Sequence, residues 1–401
     1  MKPLQGLRVL DLSSVIFGPL ASQLLADYGA EVLKLEPPEG DSTRHTGPTR
    51  ERGMAAMFLG ANRSKKSIAL DLKQPAARAA LQALLPSVDV LMHSMRPQKL
   101  AALGLAPDTL RARHPRLVFA SLLGFLPGPY AGRPAYDDVI QGMSGLADLM
   151  QRQSGEVRYL PTIAADKTCA HAAAHAILAA LWQRERTGQG CLVEVPMFET
   201  MVGFNLVEHY YGQHFEPALS PPGYPRVLAP WRRPYRTADG HVAMMPYTDL
   251  HWRRFFGEVG APAHADDPRF TGIAQRTQYI AELLELASTF VVQHSTAHWL
   301  AVCDRLEIPA APIATLDALP QDPHLAATDF FETVHDPAMG TLRFPGVATR
   351  FDGQRAAVGM PPRLGQHTRA LLAEAGLNAD QIQALLDQGA AIASPAPESP
   401  P

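Results

Sequence analysis

The chain has 401 residues, 46% of them hydrophobic, and a formal net charge of −3. That length accommodates two domains with sizeable cores, and the near-neutral charge gives no pull toward nucleic acid or an anionic membrane surface. Three cysteines, Cys169, Cys191 and Cys303, make neither a disulfide framework nor a paired metal spacing, so no metal is expected and a reducing cytoplasm is the expected compartment.

In chain order, "MKPLQGLRVLDLSS" has no long apolar run, so it does not read as a signal peptide. No stretch reaches the ~18 apolar residues of a spanning helix, so no membrane is expected. "LRVLDLSS" reads as a buried strand and "GPLASQLLADYG" as a helix closed by Gly29. "AEVLKLEPP" is a second strand. After a basic loop come the strand "SIALDL", the helix "QPAARAALQALLPSVD" and the strand "VLMHSM". A short helix near "DTLRARHP" leads into the strand "RLVFASLLGF". Strands separated by helices of this length imply parallel pairing in an open, doubly wound α/β sheet.

From Asp137 to about Leu206 the pattern is mainly helical, with one strand at "CLVEVPM". Ser220–Arg236 carries five prolines and reads as a semi-rigid linker. A hairpin signal follows around Asp239-Gly240, then helical patterns from His251 to Leu306, which suggest a smaller second domain. "TLRFPGVATRF" reads as a late strand pair and "HTRALLAEAG" and "ADQIQALLDQG" as closing helices. "AAIASPAPESPP" has the composition of a disordered tail.

Four features bear on chemistry. The first strand-to-helix turn, "DLSSVIFGPLAS", offers only Gly18, which argues against the three-glycine nicotinamide fingerprint even though Glu36 ends the second strand. His171 and His175 lie four apart on one helix face, but Ala172 stands where a zincin has Glu. Cys169 suits either a helix-end nucleophile or a small apolar contact in an Ala-rich face. Asp166, directly before the "KTCAHAAAHAILAALWQRERTGQG" run, is either a helix cap or a nucleophile that exposed helix N–H groups keep ionised. The same N–H groups could serve a developing oxyanion. The basic stretch with Arg44, Arg50, Arg52, Arg63, Lys65 and Lys66 reads equally as a solvated loop or a phosphate platform.

The segments "GPLASQLLADYGAEVLKLEPPEGD", "NRSKKSIALDLK", "RPQKLAALGL", "PAYDDVIQGMSG", "ADKTCAHAAAHAILAALWQRERTGQG" and "PPRLGQHT", in that order, resemble the family III CoA-transferases over roughly Leu4 to Gly389. The resemblance implies a large Rossmann-like domain built from both chain ends, a smaller α+β domain and an interlocked homodimer. Its boundaries are 1–206 for the N-terminal part of the large domain, 207–236 for the linker, 237–310 for the small domain, 311–389 for the return and 390–401 for a disordered tail. The substrates it implies are a coenzyme A thioester and a carboxylic acid, with no permanently bound cofactor. In this family an aspartate attacks the thioester carbonyl, and Asp166 falls on that position.

The family's CoA contacts map onto Val15, Ile16 and Phe17, onto Leu70, Asp71, Leu72 and Lys73 for the adenine, onto Ser94, Met95 and Arg96, and onto Pro134, Ala135, Tyr136 and Asp137. Arg44 and Arg96 are the candidates for the phosphates. Nothing in "LAPWRRPYRTADG" matches the glycine run of formyl-CoA transferase, and Ile16 replaces its glutamine, so formyl or oxalyl groups are not expected. Arg232 or Arg233 could meet a second carboxylate, which makes succinyl-CoA the expected donor; Tyr247, Thr248, Asp249 and His251 are further polar candidates. The same fold includes α-methylacyl-CoA racemases, which need two opposed acid/base groups. Here Tyr136 stands at the racemase histidine and Thr248, beside Asp249, near the racemase glutamate. Tyrosine is a poor base at neutral pH, which favours the transferase. A non-catalytic acyl-CoA-binding protein is the third alternative.

Overall fold

The computed structural model describes residues 2–394. The chain forms two compact units, one from residues up to Ser144, Pro161–Val202 and from Pro323 onward, the other from Gly145–Leu160 and Gly203–Asp322.

The first unit is built on six parallel strands: β1 (Arg8–Asp11), β2 (Glu31–Glu36), β3 (Lys65–Leu70), β4 (Val90–His93), β5 (Val118–Leu123) and β6 (Leu192–Pro196). Their spatial order is β3-β2-β1-β4-β5-β6, with a short antiparallel strand, Ala391–Ile392, beside β3. The apolar runs are continuous rather than alternating because both faces of the sheet are covered, and Leu10, Leu33, Ile68, Leu91 and Phe119 are fully buried. The strand order reverses between β1 and β4. In such sheets ligands bind beyond the carboxyl ends of the strands at that reversal.

Helix α1 (Phe17–Asp27) leaves β1 through a tight turn, and a Cβ added at Gly18 would stand 2.1 Å from Ser13 Oγ. Only glycine lets the helix start so close to the turn. Val15, in the same turn, has φ of 69°, a conformation that β-branched residues rarely adopt. Its N–H donates to Asp41 at 3.2 Å, and Asp41 is in turn held by Lys34 at 2.9 Å. Helix α2 (Asp137–Met143) precedes the long α3 (Ala164–Thr187), which packs against α1, β5 and β6 through Cys169, Ala170, Ala173 and Ile177. Small side chains permit that close approach.

Several expectations change. The basic stretch divides: Arg50 and Arg52 are exposed, while its other cations are paired. Arg63 pairs with Asp27, Lys65 with Asp11 and Lys66 with Glu31, all within this unit. The late strand pair is Phe331–Asp336 with Gly340–Pro345, so "TLRFP" is its second strand and "GVATRF" lies beyond it. Part of the expected tail, Ala391–Ile392, is sheet; residues 395–401 of that tail lie outside the described residues.

The second unit has a three-stranded antiparallel sheet, Tyr235–Arg236, His241–Met244 and Ala310–Pro312. Helices Asp249–Glu258, Ile280–Val291 and Thr296–Leu306 pack with it around Trp252, Phe255, Phe256, Leu283 and Trp299. Thr248 and Ser295 cap the first and third of these helices. The proline-rich segment read as a linker is folded into this unit: Pro225–Leu228 is helical and Tyr235 starts the sheet. Strand Ala310–Pro312 pairs with His241–Met244, which keeps the chain in this unit past the expected boundary at 310, and residues 145–160 join it. No helix among the described residues is long and apolar enough to cross a membrane.

Candidate active site

Asp166 lies in the first turn of α3 and is 9% exposed. It does not cap the helix. That task falls to Asp137 at the start of α2, whose Oδ1 accepts from the backbone N–H groups of Ala165 at 2.7 Å and Asp166 at 3.1 Å. Gln141 Nε2 holds the other oxygen of Asp137 at 2.6 Å. The two helix N–H groups are therefore occupied by a protein carboxylate and are not free for an oxyanion. Burial, reinforced by the charge of Asp137, pushes Asp166 up to about 6. The shift is upward because desolvation and a like charge outweigh the helix dipole that the sequence invoked to keep the group ionised. At pH 7 the carboxylate is still mostly ionised, and it is more basic than an ordinary aspartate, which suits a nucleophile.

Asp166 lines a pocket of ≈ 650 Å³ at the carboxyl ends of β1, β4, β5 and β6. The size is ordinary for a small-molecule site. Of the residues singled out in the sequence, Val15, Phe17, Ser94, Met95, Arg96, Pro134, Ala135 and Tyr136 line the same pocket. Tyr136 is 65% exposed there. Gly124, also in the wall, is pressed against Ala135, since a Cβ on it would lie 2.4 Å from the Ala135 Cβ. That contact seats the Pro134–Tyr136 segment against the end of β5.

The other expected contacts lie elsewhere. Ile16 is buried beneath the turn. The Asp137 carboxylate is consumed by the helix cap. Leu70 is buried in β3, and Asp71, Leu72 and Lys73 follow it at the same edge of the sheet but outside this pocket. Arg44 is 1% exposed and cannot face a phosphate: Nε and Nη2 each donate to Glu36 at 2.7 Å, Nη1 to the Gly53 carbonyl at 3.1 Å and Nη2 to the Pro362 carbonyl at 3.1 Å. The guanidinium also stacks 3.7 Å from the Phe58 ring centroid. A buried charge takes its partner from inside the protein when one is within reach.

Cys169 is fully buried, its thiol donates weakly to the Met197 carbonyl at 3.7 Å, and burial pushes it up to about 12. It is a packing residue with no thiolate at neutral pH. His171 and His175 are exposed, with ring centroids 6.5 Å apart. Among the described residues no group of three or more His, Cys, Asp or Glu converges to hold a metal.

Several lining residues were missed in the sequence. Arg133 adds a second cation beside Arg96, with its guanidinium 4.5 Å from the Tyr130 ring centroid. It sits one residue before the "PAYDD" motif, and that adjacency was the available signal. His93, Ser121 and Glu194 occupy matching positions on β4, β5 and β6. The Met95 N–H donates to His93 Nδ1 at 3.1 Å, so the proton is on Nε2 and donates to Ser121 Oγ at 3.0 Å. Burial holds His93 down at about 4, hence neutral, and the ring pins the turn that carries Ser94–Arg96.

Residues 4–368 match the description CoA-transferase family III. Among relatives, the probable fatty acyl-CoA transferase of Mycobacterium tuberculosis is 32% identical over 93% of this chain and 98% of its own length. The succinyl-CoA–D-citramalate CoA-transferase of Chloroflexus aurantiacus is 31% identical over 96% and 97%, and the succinate–glutarate CoA-transferase of Agrobacterium fabrum is 31% identical over 93% and 95%. A crystal structure of the M. tuberculosis protein matches with TM-score 0.78 at 31% identity, covering 92% of this chain and 99% of that one. A CAIB/BAIF family protein from Brucella suis matches with TM-score 0.76 at 30% identity, over 93% and 99%.

Proposed function

The chain belongs to CoA-transferase family III, as an acyl-CoA:carboxylate CoA-transferase, and from that premise we propose that Asp166 is its nucleophile, succinyl-CoA its donor and a short dicarboxylate its acceptor. One observation carries the reading. Asp166 is an aspartate with a raised pKa in the wall of the switch-point pocket, relieved of the capping task by Asp137.

The Asp166 carboxylate attacks the thioester carbonyl; the C–S bond breaks, giving a mixed anhydride and CoA thiolate. The thiolate attacks the aspartyl carbonyl, the donor acid leaves as its carboxylate, and an Asp166–CoA thioester remains. The acceptor carboxylate attacks that thioester, forming a second anhydride and again releasing thiolate. Thiolate attack on the acceptor's acyl carbon yields the new acyl-CoA and restores Asp166. Each step exchanges one acyl bond for another, so the thioester energy is retained without ATP. Arg96 and Arg133 supply positive charge along the pocket for the phosphates of CoA, and Val15, Met95 and Pro134–Tyr136 line the path of its arm. The succinyl-CoA-dependent relatives support the donor; a homodimer is part of the proposal.

The test is a panel of CoA thioesters against short mono- and dicarboxylic acids, read by mass spectrometry, with hydroxylamine trapping of the acylated enzyme. Transfer from succinyl-CoA to a dicarboxylate, with the adduct on Asp166, is the expected result. Hydrolysis alone, or an adduct on another residue, overturns it.

A further inference from the structure

The second unit contains an arginine that no acid satisfies. Arg226, in the short helix Pro225–Leu228, is 3% exposed. Its Nη1 has no hydrogen-bond partner among the described residues, and no carboxylate pairs with it there. Its guanidinium lies 5.3 Å from the Tyr247 ring centroid. The acid nearby, Asp249, is taken by Arg276 at 2.5 Å. Burial lowers the pKa of Arg226, and the charges of Arg276 and Arg232 act in the same direction. A desolvated cation without a carboxylate partner is unfavourable.

Arg226 lines a small pocket of ≈ 40 Å³ together with Arg232, Arg233, Tyr235, Trp252 and Met244. Two more of its lining residues carry buried donors without partners, Tyr235 OH and Trp252 Nε1, and both residues are at least nine-tenths buried. Three of the five such donors among the described residues thus belong to residues that line this one small pocket. No Asp or Glu lines it. Three unpartnered donors, two further arginines and no carboxylate in the lining point to an anion as the missing partner. A volume of ≈ 40 Å³ exceeds the ~15 Å³ that a water needs and suits one carboxylate group.

We infer that Arg226, Tyr235 and Trp252 form a binding site for the carboxylate of a small organic acid, with exposed Arg232 and Arg233 flanking its entrance. The sequence reading gave this task to Arg232 or Arg233, which line the same pocket; those two are exposed, and Arg226 is the one already buried. That the anion is a carboxylate rests on the transferase reading; that a donor-lined anion site exists does not.

The test uses the full chain, without CoA, in carboxylate-free buffer. Succinate is titrated against the parent and against Arg226→Met, Arg226→Lys and Tyr235→Phe, with chloride as control. Melting temperature and tryptophan fluorescence are read, since Trp231 and Trp252 both line the pocket. Succinate should raise the parent's melting temperature with a saturable fluorescence change. Tyr235→Phe should bind roughly five- to tenfold more weakly, the loss of one hydrogen bond. Arg226→Met should melt higher than the parent without succinate, because an unpaired buried charge has been removed, and should not respond to it. Arg226→Lys should keep a weakened response. An unchanged succinate response in both Arg226→Met and Tyr235→Phe overturns the inference. So does a change in subunit association in Arg226→Met with the succinate response intact, which would give the guanidinium a side chain of a second copy instead. A transfer assay run in parallel fails or succeeds independently, so the two readings are tested apart.

Discussion

Asp137 caps the helix that carries Asp166, accepting from the Asp166 N–H at 3.1 Å and from that of Ala165 at 2.7 Å. The contact supplies the helix end with its anion and leaves the side chain of Asp166 free for the pocket. It also places a like charge near Asp166, which joins burial in raising its pKa.

The first expectation concerns Asp166→Asn. The folded-state value of about 6 exceeds the ordinary 3.8, so the folded chain holds this proton more tightly than the unfolded one. Its contribution to stability is present at low pH and is lost as pH rises through the window from 3.8 to about 6. At pH 7 the ionised carboxylate costs on the order of 1–3 kcal/mol. Asp166→Asn should therefore melt higher than the parent at pH 7, with the difference closing toward pH 4, while transfer falls by several orders of magnitude. Ordinary turnover in this variant would return Asp166 to a structural role.

Parent activity should fall below about pH 6 as Asp166 protonates. In Asp137→Asn the amide oxygen still accepts from the helix but the charge is gone, so the acid limb of the pH–rate profile should move lower. Asp137→Ala also loses the cap, at a cost of about 1 kcal/mol. An acid limb that stays in place in Asp137→Asn would show that these two carboxylates are not coupled.

Glu36→Gln tests the buried role of Arg44. The variant leaves a guanidinium without its carboxylate, and the loss should be ~3–5 kcal/mol in denaturant unfolding. Whatever remains folded should keep the parent KM for the CoA thioester. A raised KM in Arg44→Met with unchanged stability would instead restore the phosphate role.

Cys169→Ala should retain transfer, and iodoacetamide should fail to label Cys169 in the native protein at pH 8, since its thiol lies near 12. Rapid labelling with loss of activity would make the thiol the reactive group.

The racemase alternative predicts solvent deuterium at the α-carbon of a 2-methylacyl-CoA without any acceptor acid. Tyr136 is the pocket residue that the resemblance places at the racemase histidine position, in place of the second acid/base group a racemase needs. Mass spectrometry should find no enzyme-dependent uptake; rapid uptake would reverse the ranking.

The features legible in the amino-acid order are those fixed by near neighbours along the chain. Continuous apolar runs such as "VLMH" and "VFASLL" mark strands buried on both faces, and their spacing by helices forces parallel pairing. Gly18 and Gly29 mark the ends of α1, and Asp166 could be placed at the start of α3. The choice among its roles could not be made there, because the residue that caps α3 lies 29 positions away on another helix. The same limit explains Arg44, whose side chain folds back from the turn after β2 onto Glu36, and Arg226, which looks like any arginine of a proline-rich linker until folding buries it. Charge pairing and desolvation depend on distance and solvent exposure in space. Residue spacing encodes neither, so folding in three dimensions sets which arginines are paired with carboxylates and which aspartate caps the helix.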